Sequence, residues 1–371
     1  MNIAVVKESK AGECRVALSP DVAAELIAKG YDISIEQQAG INSYFSDADY
    51  EKVGVKIVSG RIELIRSADI ILSVNAPDLE SISHMKSSAV LISFMWAAYH
   101  PELVKACEAA GISAFSMDAV PRISRAQKMD ALSSQSNLAG YKTVLLGANA
   151  LGKIFPLLMT AAGTVKPARV MIMGAGVAGL QAIATAKRLG AVVEVSDIRP
   201  ETKEQVESLG AKFIQVEQDE SIKTEGGYVK NVSEEFLRKQ QALIAKHAAE
   251  ADLIITTALI PGKKAPVLIT EEMVKSMKMG SVIVDMAVEQ GGNCALSELD
   301  KTVVKHGVTI IGESNLPSML PMNASQLYAK NLAALLIHLS DKDGFKWELD
   351  EEITKGSLII HQGKRVHASI I

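Results

Sequence analysis

The chain has 371 residues, which corresponds to two domains of roughly 100–200 residues each. Hydrophobic residues make up 48% of the sequence and charged residues 22%, so the composition is that of a globular protein and excludes a disordered or collagen-like chain. With 39 Lys and Arg against 43 Asp and Glu, and 4% aromatic residues, the chain lacks the basic charge and stacking side chains of a nucleic-acid-binding protein.

The cysteines and the N-terminus indicate the cellular compartment. Cys14, Cys107 and Cys294 are far apart and none belongs to a CxxC pair, so we predict neither a disulfide framework nor a metal site. Residues 1–8 lack the basic segment and the long apolar run of a secretory signal. We therefore expect a cytoplasmic protein.

Short strands alternate with helices over the first third of the chain. Such alternation predicts a mostly parallel sheet with helices on both faces. Proline at the first helical position and glycine after the last mark the helix ends. The predicted strands are Ile3–Val6, Ile33–Glu36, Ile70–Val74 and Val90–Phe94, and the predicted helices run from Pro20 to Gly30 and from Pro101 to Ala110.

A polar segment, Arg122–Gln135, comes next and precedes an apolar run. Its many hydrogen-bonding groups fit either a functional loop between domains or a solvated surface loop. Between Thr143 and Val165 the only charge is Lys153, and the length approaches the roughly 20 residues of a membrane span. Because Lys153 and Pro156 interrupt this run, we interpret it as a buried helix that links two domains.

The same run contains Gly147–Lys153, which matches the phosphate-loop pattern GxxxxGK. Ile154 follows, where a phosphate loop needs Ser or Thr to bind Mg²⁺. We therefore interpret the glycines of this match as structural.

The pattern Gly-Ala-Gly-Val-Ala-Gly at 174–179 is the strongest local motif. An apolar strand, Arg169–Met173, precedes it and a helix follows, which is the context of a dinucleotide-binding turn. Gly174 makes the tight turn, Gly176 lets the backbone approach a pyrophosphate, and Gly179 lets the helix and strand pack closely. The phosphates then meet the free N–H groups of the helix N-terminus.

Asp197 follows the next strand, Val192–Val195. A carboxylate there accepts hydrogen bonds from the adenosine ribose and repels a 2′-phosphate, so it favours NAD over NADP. Arg199 favours NADP instead, because an arginine can bind the 2′-phosphate. Further along, the segment Glu217–Asn231 is long, charged and glycine-containing. This composition fits either a mobile lid or a surface loop without a function.

The later strands complete a second α/β run, as a dinucleotide-binding domain requires. They are predicted at Phe213–Val216, Leu253–Thr257, Val282–Asp285 and Val308–Ile311, and a last apolar helix, Ala324–Leu339, is expected to return to the first domain. We predict an α/β fold of two Rossmann-like, doubly wound parallel-sheet domains with a cleft between them. Residues 1–136, completed by 324–371, form the first domain, and residues 137–323 form the NAD(H)-binding domain.

Nearly the whole chain resembles one superfamily. It contains alanine dehydrogenase and the NAD(H)-binding component, domain I, of proton-translocating nicotinamide nucleotide transhydrogenase. The segments that carry the resemblance are Arg122–Asn137, Gly174–Leu189, Ile255–Gly262 and Val284–Cys294.

Chemistry separates the two branches. Oxidation of an amino acid moves a proton as well as a hydride, so alanine dehydrogenase needs acid–base groups and a carboxylate anchor. The segments in which that branch carries a lysine and a histidine align with Ser73–Pro77 and Phe94–Ala98, which contain neither residue type. Glu289 replaces an aspartate of that branch, whereas Arg15 persists. Hydride transfer between two nicotinamides requires no substrate proton transfer.

The segment Arg-Ile-Ser-Arg-Ala-Gln-x-Met-Asp at 122–130 marks the transhydrogenase branch and is intact. The resemblance implies that Arg122, Gln127 and Asp130 lie beside the nicotinamide and that Ser133 contacts its carboxamide, so these four are the predicted catalytic residues. It also implies a lid that closes over the nucleotide. The predicted cofactor-binding residues are Gly174, Ala175, Gly176, Val177, Ala178, Gly179, Asp197, Ile198, Arg199, Gly227, Tyr228, Gln240, Thr257 and Leu259.

The resemblance implies a function as well. The chain is expected to bind NAD(H) and to take part in direct hydride transfer between NADH and NADP⁺ bound on an NADP(H)-binding partner, coupled to proton translocation through membrane-spanning subunits. We expect a homodimer without nucleic-acid partners, on the cytoplasmic face of the inner membrane and attached only through its partners. No apolar span follows the last helix, which predicts a separate subunit. The alternatives are a soluble NAD-dependent alanine dehydrogenase and a non-catalytic NAD(H)-sensing or scaffold subunit.

Overall fold

The computed structural model describes residues 1–215, 223–225, 228–230, 234–260, 263–341 and 344–368. The chain divides into two compact units. The first unit comprises Met1–Gln135 and Pro317–Ile371, and the second comprises Ser136–Leu316.

The N-terminal portion of the first unit alternates strands and helices from its first residues. Its elements are β1 (Asn2–Val5), α1 (Pro20–Ala28), β2 (Asp32–Glu36), α2 (Asp47–Glu51), β3 (Lys56–Val58), α3 (Arg61–Ser67), β4 (Ile70–Asn75), α4 (Leu79–Ser83), β5 (Val90–Phe94), α5 (Pro101–Ala110) and β6 (Ser113–Ser116). Proline occupies the first position of both α1 and α5, where its missing N–H costs no helical hydrogen bond. Gly111 follows the last residue of α5 and caps the helix, and its φ of +68° suits a residue without a side chain.

A helix and a hairpin follow, α6 (Ala131–Ala150), β7 (Leu158–Thr160) and β8 (Gly163–Val165). The prediction of one buried helix through Val165 is therefore wrong. Helix α6 ends at Ala150, and Pro156 cannot continue a helix because it lacks the N–H donor and clashes with the preceding turn. Residues 156–166 are all exposed, so the apolar side chains of the hairpin face solvent.

The structural interpretation of the phosphate-loop match is confirmed. Gly147 lies inside α6, and a Cβ at this position would come within 2.7 Å of the Leu253 side chain. Lys153 donates to the Asp252 carboxylate at 2.7 Å. This glycine therefore permits close helix packing, and the lysine forms an ion pair within the chain.

The second unit repeats the alternation of strands and helices. Its elements after the hairpin are β9 (Arg169–Met173), α7 (Val177–Arg188), β10 (Val192–Ser196), α8 (Thr202–Ser208), β11 (Lys212–Phe213), β12 (Lys223–Glu225), β13 (Tyr228–Lys230), α9 (Glu234–Glu250), β14 (Leu253–Thr256), α10 (Glu271–Ser276), β15 (Val282–Asp285), β16 (Lys301–Lys305) and β17 (Val308–Gly312).

The C-terminal portion of the chain belongs to the first unit. It consists of α11 (Pro321–Leu339), β18 (Ser340–Asp341), β19 (Gly344–Phe345), α12 (Glu352–Ser357), β20 (Leu358–His361) and β21 (Lys364–Arg365). Tyr328, Leu332 and Leu336 of α11 are fully buried in the core of this unit.

Both large sheets are doubly wound, which confirms the predicted fold class. The order in the first unit is β21-β20-β6-β5-β4-β1-β2-β3, in which β20 pairs antiparallel with both β6 and β21. The order in the second unit is β11-β10-β9-β14-β15-β17-β16, in which β16 is antiparallel to β17. The winding reverses between β1 and β4 and between β9 and β14. Ligands of such sheets bind beyond the carboxyl ends of the strands at these switch points.

Continuous apolar strands hold each unit together. The first five residues of β4 and all of β5 are buried, because helices cover both faces of a mostly parallel sheet. Within the residues that the structure describes, every helix is too short or too polar to cross a bilayer.

Candidate functional site

The glycine turn, residues 174–179, joins β9 to α7 in the second unit. Gly174 has a φ of +106°, and a Cβ on it would lie 2.4 Å from Thr257 Oγ1. A Cβ on Gly179 would lie 1.9 Å from the Gly174 carbonyl oxygen, so neither position admits a side chain. At Gly176 a Cβ would meet no atom within 4 Å. The turn is therefore tightly packed at Gly174 and Gly179 and open at Gly176, as approach of a pyrophosphate requires.

Thr257 supports the glycine turn from the carboxyl end of β14. Its N–H donates to the Met173 carbonyl oxygen at 2.9 Å. Its Oγ1 lies 3.3 and 3.2 Å from the carbonyl oxygens of Met173 and Gly174. The structure thus places Thr257 in contact with the glycine turn, whereas the Leu259 side chain is 43% exposed.

Asp197 binds the glycine turn and an arginine at the same time. Its Oδ2 accepts a hydrogen bond from the Ala175 N–H at 2.7 Å. The Arg199 guanidinium donates to both carboxylate oxygens, through Nε at 3.0 Å and Nη2 at 2.8 Å. A two-pronged arrangement of this kind fixes both side chains. The two residues with opposite implications for cofactor choice therefore form one ion pair beside the glycine turn.

Val177 and Ala178 begin α7, where the backbone N–H groups of the first turn are free to bind an anion. The Val177 side chain is 40% exposed. A Cβ on Gly140 of α6 would lie 2.1 Å from the Ala178 carbonyl oxygen, so the two helices touch through their backbones here. The position of the α7 N-terminus is thereby fixed by a glycine contact.

The remaining predicted cofactor residues are dispersed. The Ile198 side chain is 41% exposed, and Gln240 is half-buried on α9. Gly227 lies outside the described residues, and Tyr228 is described only as a backbone position of β13. Most of the predicted lid, Glu217–Asn231, also lies outside them.

An asparagine that sequence reasoning missed holds the loop after β14. Asn293 Oδ1 accepts from the Ala258 N–H at 3.0 Å, and its Nδ2 donates to the carbonyl oxygens of Ala258 and Pro266 at 2.9 and 2.8 Å. The buried Asp285 in turn accepts from the Cys294 N–H at 2.9 Å. The sequence signal here is a carboxylate at a strand end followed by a glycine pair, which does not reveal these long-range bonds.

Of the predicted catalytic residues, Gln127 lies on a short 3₁₀ turn, Ser124–Met129, Arg122 precedes this turn, and Asp130 and Ser133 lie at the start of α6, all within the first unit. Arg122 and Gln127 are exposed, whereas Ala126 and Met129 of the turn are buried. Asp130 caps α6 by accepting from the Ser133 N–H at 2.9 Å and from its hydroxyl at 2.5 Å. The structure thus brings Asp130 and Ser133 into direct contact.

A buried charge cluster, Glu8, Glu13 and Arg15, lies near the carboxyl ends of β1 and β4. Glu13 and Arg15 form a two-pronged ion pair, with Nε to Oε1 at 2.8 Å and Nη2 to Oε2 at 2.7 Å. The third guanidinium nitrogen of Arg15 is bonded as well, because Nη1 donates to Gln135 Oε1 at 2.9 Å. Asn75 Nδ2 donates to both Glu8 and Glu13 at 3.0 Å.

The two glutamates of the cluster have opposite pKa shifts. Burial raises the pKa of Glu8 to about 7, although hydrogen bonds from Asn75 and Val74 act against it. Burial acts in the same direction on Glu13, but the hydrogen bonds and charge of Arg15 outweigh it and lower the pKa of Glu13 to about 2.

We expect the Glu8→Gln variant to lose part of the pH dependence of stability. The native state holds a proton on Glu8 more tightly than the unfolded chain, so this group's contribution is lost as pH rises from about 4.5 to about 7. The loss amounts to up to about 3 kcal/mol. Urea unfolding of both proteins at pH 5 and pH 8 measures it. The exposed control Glu80→Gln should keep the wild-type fall in stability between these pH values, and a fall of the same size in Glu8→Gln would contradict the assignment.

Arg15, the arginine expected from the resemblance to persist from the dehydrogenase branch, is thus occupied by groups of this chain. An incoming carboxylate would have to displace Glu13 from Arg15. Asn75 is bound to the two glutamates, and the Trp96 ring stacks on Phe94 with centroids 6.0 Å apart. The amide and the indole thus lie in the two segments where the resemblance to alanine dehydrogenase leads one to expect basic groups, and neither titrates near neutral pH.

The fold and the glycine turn define a Rossmann-like α/β protein. Residues 4–139 match the family model "Alanine dehydrogenase/PNT, N-terminal domain", and residues 143–368 match "Alanine dehydrogenase/PNT, C-terminal domain". The chain belongs to the alanine dehydrogenase/PNT family. The predicted superfamily is therefore confirmed.

Within this family the transhydrogenase relatives are the more similar. The chain is 49% identical over 380 residues to the first part of NAD(P) transhydrogenase subunit alpha of Rhodospirillum rubrum, covering 100% of this chain and 99% of that protein. The solved structure of transhydrogenase from Sinorhizobium meliloti is 44% identical, with a TM-score of 0.90 and coverage of 99% of this chain and 100% of that one. Alanine dehydrogenase of Bacillus subtilis is 30% identical over 378 residues, covering 100% of this chain and 94% of that protein.

Proposed function

We propose that this chain is the NAD(H)-binding subunit of a proton-translocating transhydrogenase, an oxidoreductase in which a hydride passes directly between NADH and NADP⁺ bound on a partner. One observation carries the proposal: all three guanidinium nitrogens of Arg15 donate hydrogen bonds, two of them to Glu13 and one to Gln135. A cation held by the chain's own carboxylate is a poor anchor for an amino-acid substrate. The greater identity to transhydrogenase relatives than to alanine dehydrogenase supports the same choice.

The glycine turn and Asp197 fit a dinucleotide in residues 137–323. The open position at Gly176 and the N–H groups that begin α7 suit a pyrophosphate, and the Asp197 carboxylate suits the hydroxyls of the adenosine ribose. NAD(H), when bound, supplies and accepts the hydride, and the protein supplies binding and orientation.

We assign the polar segment of the first unit to the nicotinamide. The Ser133 hydroxyl donates its hydrogen to Asp130, so its lone pairs are left to accept from the carboxamide N–H groups. Gln127 is exposed on a turn whose Ala126 and Met129 are buried, which gives its amide a fixed base from which to keep the two rings in register. Arg122 and Asp130 bias the charge around the ring.

The absence of bases from the segments around Asn75 and Trp96 agrees with this reaction. Amino-acid oxidation requires a group that accepts a proton and later returns it. Asn75 and Trp96 cannot do so near neutral pH, whereas a hydride that passes between two nicotinamides leaves no substrate proton to move.

We further propose that the chain works with other subunits. The Rhodospirillum rubrum relative is named as one part of subunit alpha, which supports a divided assembly. The partners are an NADP(H)-binding component and membrane-spanning subunits, which carry the protons. The chain itself lies in the cytoplasm, on the inner membrane, and attaches only through these partners.

Reconstitution tests the proposal. The purified chain is mixed with an NADP(H)-binding component, and reduction of an NAD analogue by NADPH is followed by absorbance. The expected result is hydride exchange that requires both proteins, with no NADH formed from alanine and NAD. Alanine-dependent NADH formation would identify a dehydrogenase instead, and nucleotide binding without exchange would identify a sensing or scaffold subunit.

The β7–β8 hairpin supports the proposed homodimer. Leu157, Leu158, Met159 and Val165 are 56, 45, 73 and 42% exposed, and exposed apolar residues grouped on one hairpin are typical of an interaction site. We expect Met159→Glu to weaken self-association at least about 10-fold, because a carboxylate is costly to bury without a partner. Sedimentation velocity over a concentration series measures the effect. Met279→Glu, at a methionine that is 90% exposed elsewhere, is the matched control. Equal dimer stability in both variants would contradict the assignment.

A further inference from the structure

Asn331 on α11 joins the two ends of the predicted catalytic segment. Its Nδ2 donates to the Lys128 carbonyl oxygen at 2.8 Å, and its Oδ1 accepts from the Ser134 hydroxyl at 2.7 Å. Lys128 directly follows Gln127, and Ser134 directly follows Ser133. One side-chain amide therefore holds both the 3₁₀ turn and the first turn of α6.

The helix that carries Asn331 is itself firmly held. Asn331 is 9% exposed, and its neighbours Tyr328, Leu332 and Leu335 are fully buried. The Tyr328 hydroxyl also donates to the Ser73 carbonyl oxygen at 2.9 Å. Because α11 is fixed in the core of the first unit, Asn331 gives the more exposed segment a rigid reference point.

A second contact fixes α6 to the same helix. Gln135 Nε2 donates to the Ala324 carbonyl oxygen at 3.1 Å, while its Oε1 accepts from Arg15. The first turn of α6 is thus bound to α11 through Gln135 and Ser134, whereas the 3₁₀ turn is bound through Lys128. Asn331 bonds to both segments, so it helps to set the distance between Gln127 and Ser133.

We propose that Asn331 is a positioning residue for hydride transfer, which acts by fixing the turn that carries Gln127 relative to the helix start that carries Asp130 and Ser133. The inference rests on the proposed function, because it takes these three residues to act on the nicotinamide. Reacting atoms must approach within about 3–3.5 Å, and a displacement of about 1 Å lowers the rate about 100-fold. Removing Asn331 should therefore change the rate far more than nucleotide affinity.

The test uses Asn331→Leu, which removes both bonds, and Asn331→Asp, which keeps an acceptor for Ser134 but cannot donate to Lys128 when ionised. With the reconstituted system, both variants are expected to lower kcat about 10- to 100-fold and to leave the KM for NADH within about threefold. Asn323→Asp is the matched control, because Asn323 is exposed on the same helix. Its kcat should equal that of the wild-type chain.

The possible outcomes distinguish failure of the proposed function from failure of the positioning role of Asn331. A wild-type chain that exchanges no hydride refutes the proposed function, whereas active wild-type protein with a normal kcat in Asn331→Asp refutes the positioning role alone. Equal losses in kcat and in NADH affinity would also refute it. Ser134→Ala provides the test if Asn331→Leu does not fold, since it removes only one bond. There we expect a two- to tenfold lower kcat at unchanged KM, and an unaltered kcat would count against the inference.

Discussion

The Gln127→Asn variant is expected to transfer hydride about 10- to 100-fold more slowly than the wild-type chain while it binds NADH within about threefold as tightly. The substitution keeps the amide but withdraws it by one methylene group. Ala126 and Met129 anchor the turn in the core, so its backbone should stay in place. If Gln127 keeps the two rings in register as we propose, a small displacement of its amide affects the rate and not the binding.

Two measurements separate these effects. Stopped-flow absorbance with the NADP(H)-binding partner reports the hydride step, and quenching of protein or NADH fluorescence reports affinity. Lys128→Ala is the control, because this exposed side chain lies next to Gln127 and only its carbonyl group is used by Asn331. Parallel losses of rate and affinity in Gln127→Asn would show that Gln127 merely binds the nucleotide.

Asp197→Asn is expected to weaken NADH binding about 10- to 100-fold and to strengthen NADPH binding by a comparable factor, because hydrogen bonds to a charged group contribute about 1.5–3 kcal/mol each. Asparagine can still accept from the Ala175 N–H. It carries no charge, however, so the Arg199 guanidinium is released from its two bonds to the carboxylate. Without that ion pair, a guanidinium beside the adenosine ribose suits a 2′-phosphate.

Direct titration of the isolated chain with NADH and NADPH measures both affinities without a partner. The double variant Asp197→Asn with Arg199→Ala provides the decisive comparison. It should bind NADH as weakly as the single variant but lose the gain for NADPH. If that gain persists without Arg199, the ion pair does not determine cofactor choice.

Local signals predict the elements that position the glycine turn. The bounds of β5, α5 and β15 agree with those expected from sequence, because proline, glycine and a change from apolar to polar residues mark each end within a few positions. The glycine turn is recognisable for the same reason. Its packing against Thr257 follows from the doubly wound order, which brings β14 beside β9.

Contacts between distant residues cannot be predicted in this way. Asn331 lies 203 residues from Lys128, and no periodic pattern connects them. The hydrogen bond from Arg15 to Gln135 joins residues 120 positions apart. From the sequence alone, Arg15 could therefore be taken for an arginine that is available to bind a substrate carboxylate. The sequence misleads at the hairpin 158–165 for a different reason. An apolar run suggests burial, whereas exposed apolar residues also occur at interaction surfaces.

The return of α11 and β20 to the first unit has a consequence for synthesis of the chain. The Cys14 N–H donates to Ser318, the Val16 N–H donates to Ser325, and β6 pairs with β20, so the N-terminal sheet lacks some of its core until residues 317–361 have left the ribosome. The second unit is one continuous stretch, Ser136–Leu316, and has all its strands earlier. Domains usually fold as units in the order of their synthesis. Here the unit that is translated first is expected to finish last, because the outer edge of β6 is paired only once β20 has been synthesised.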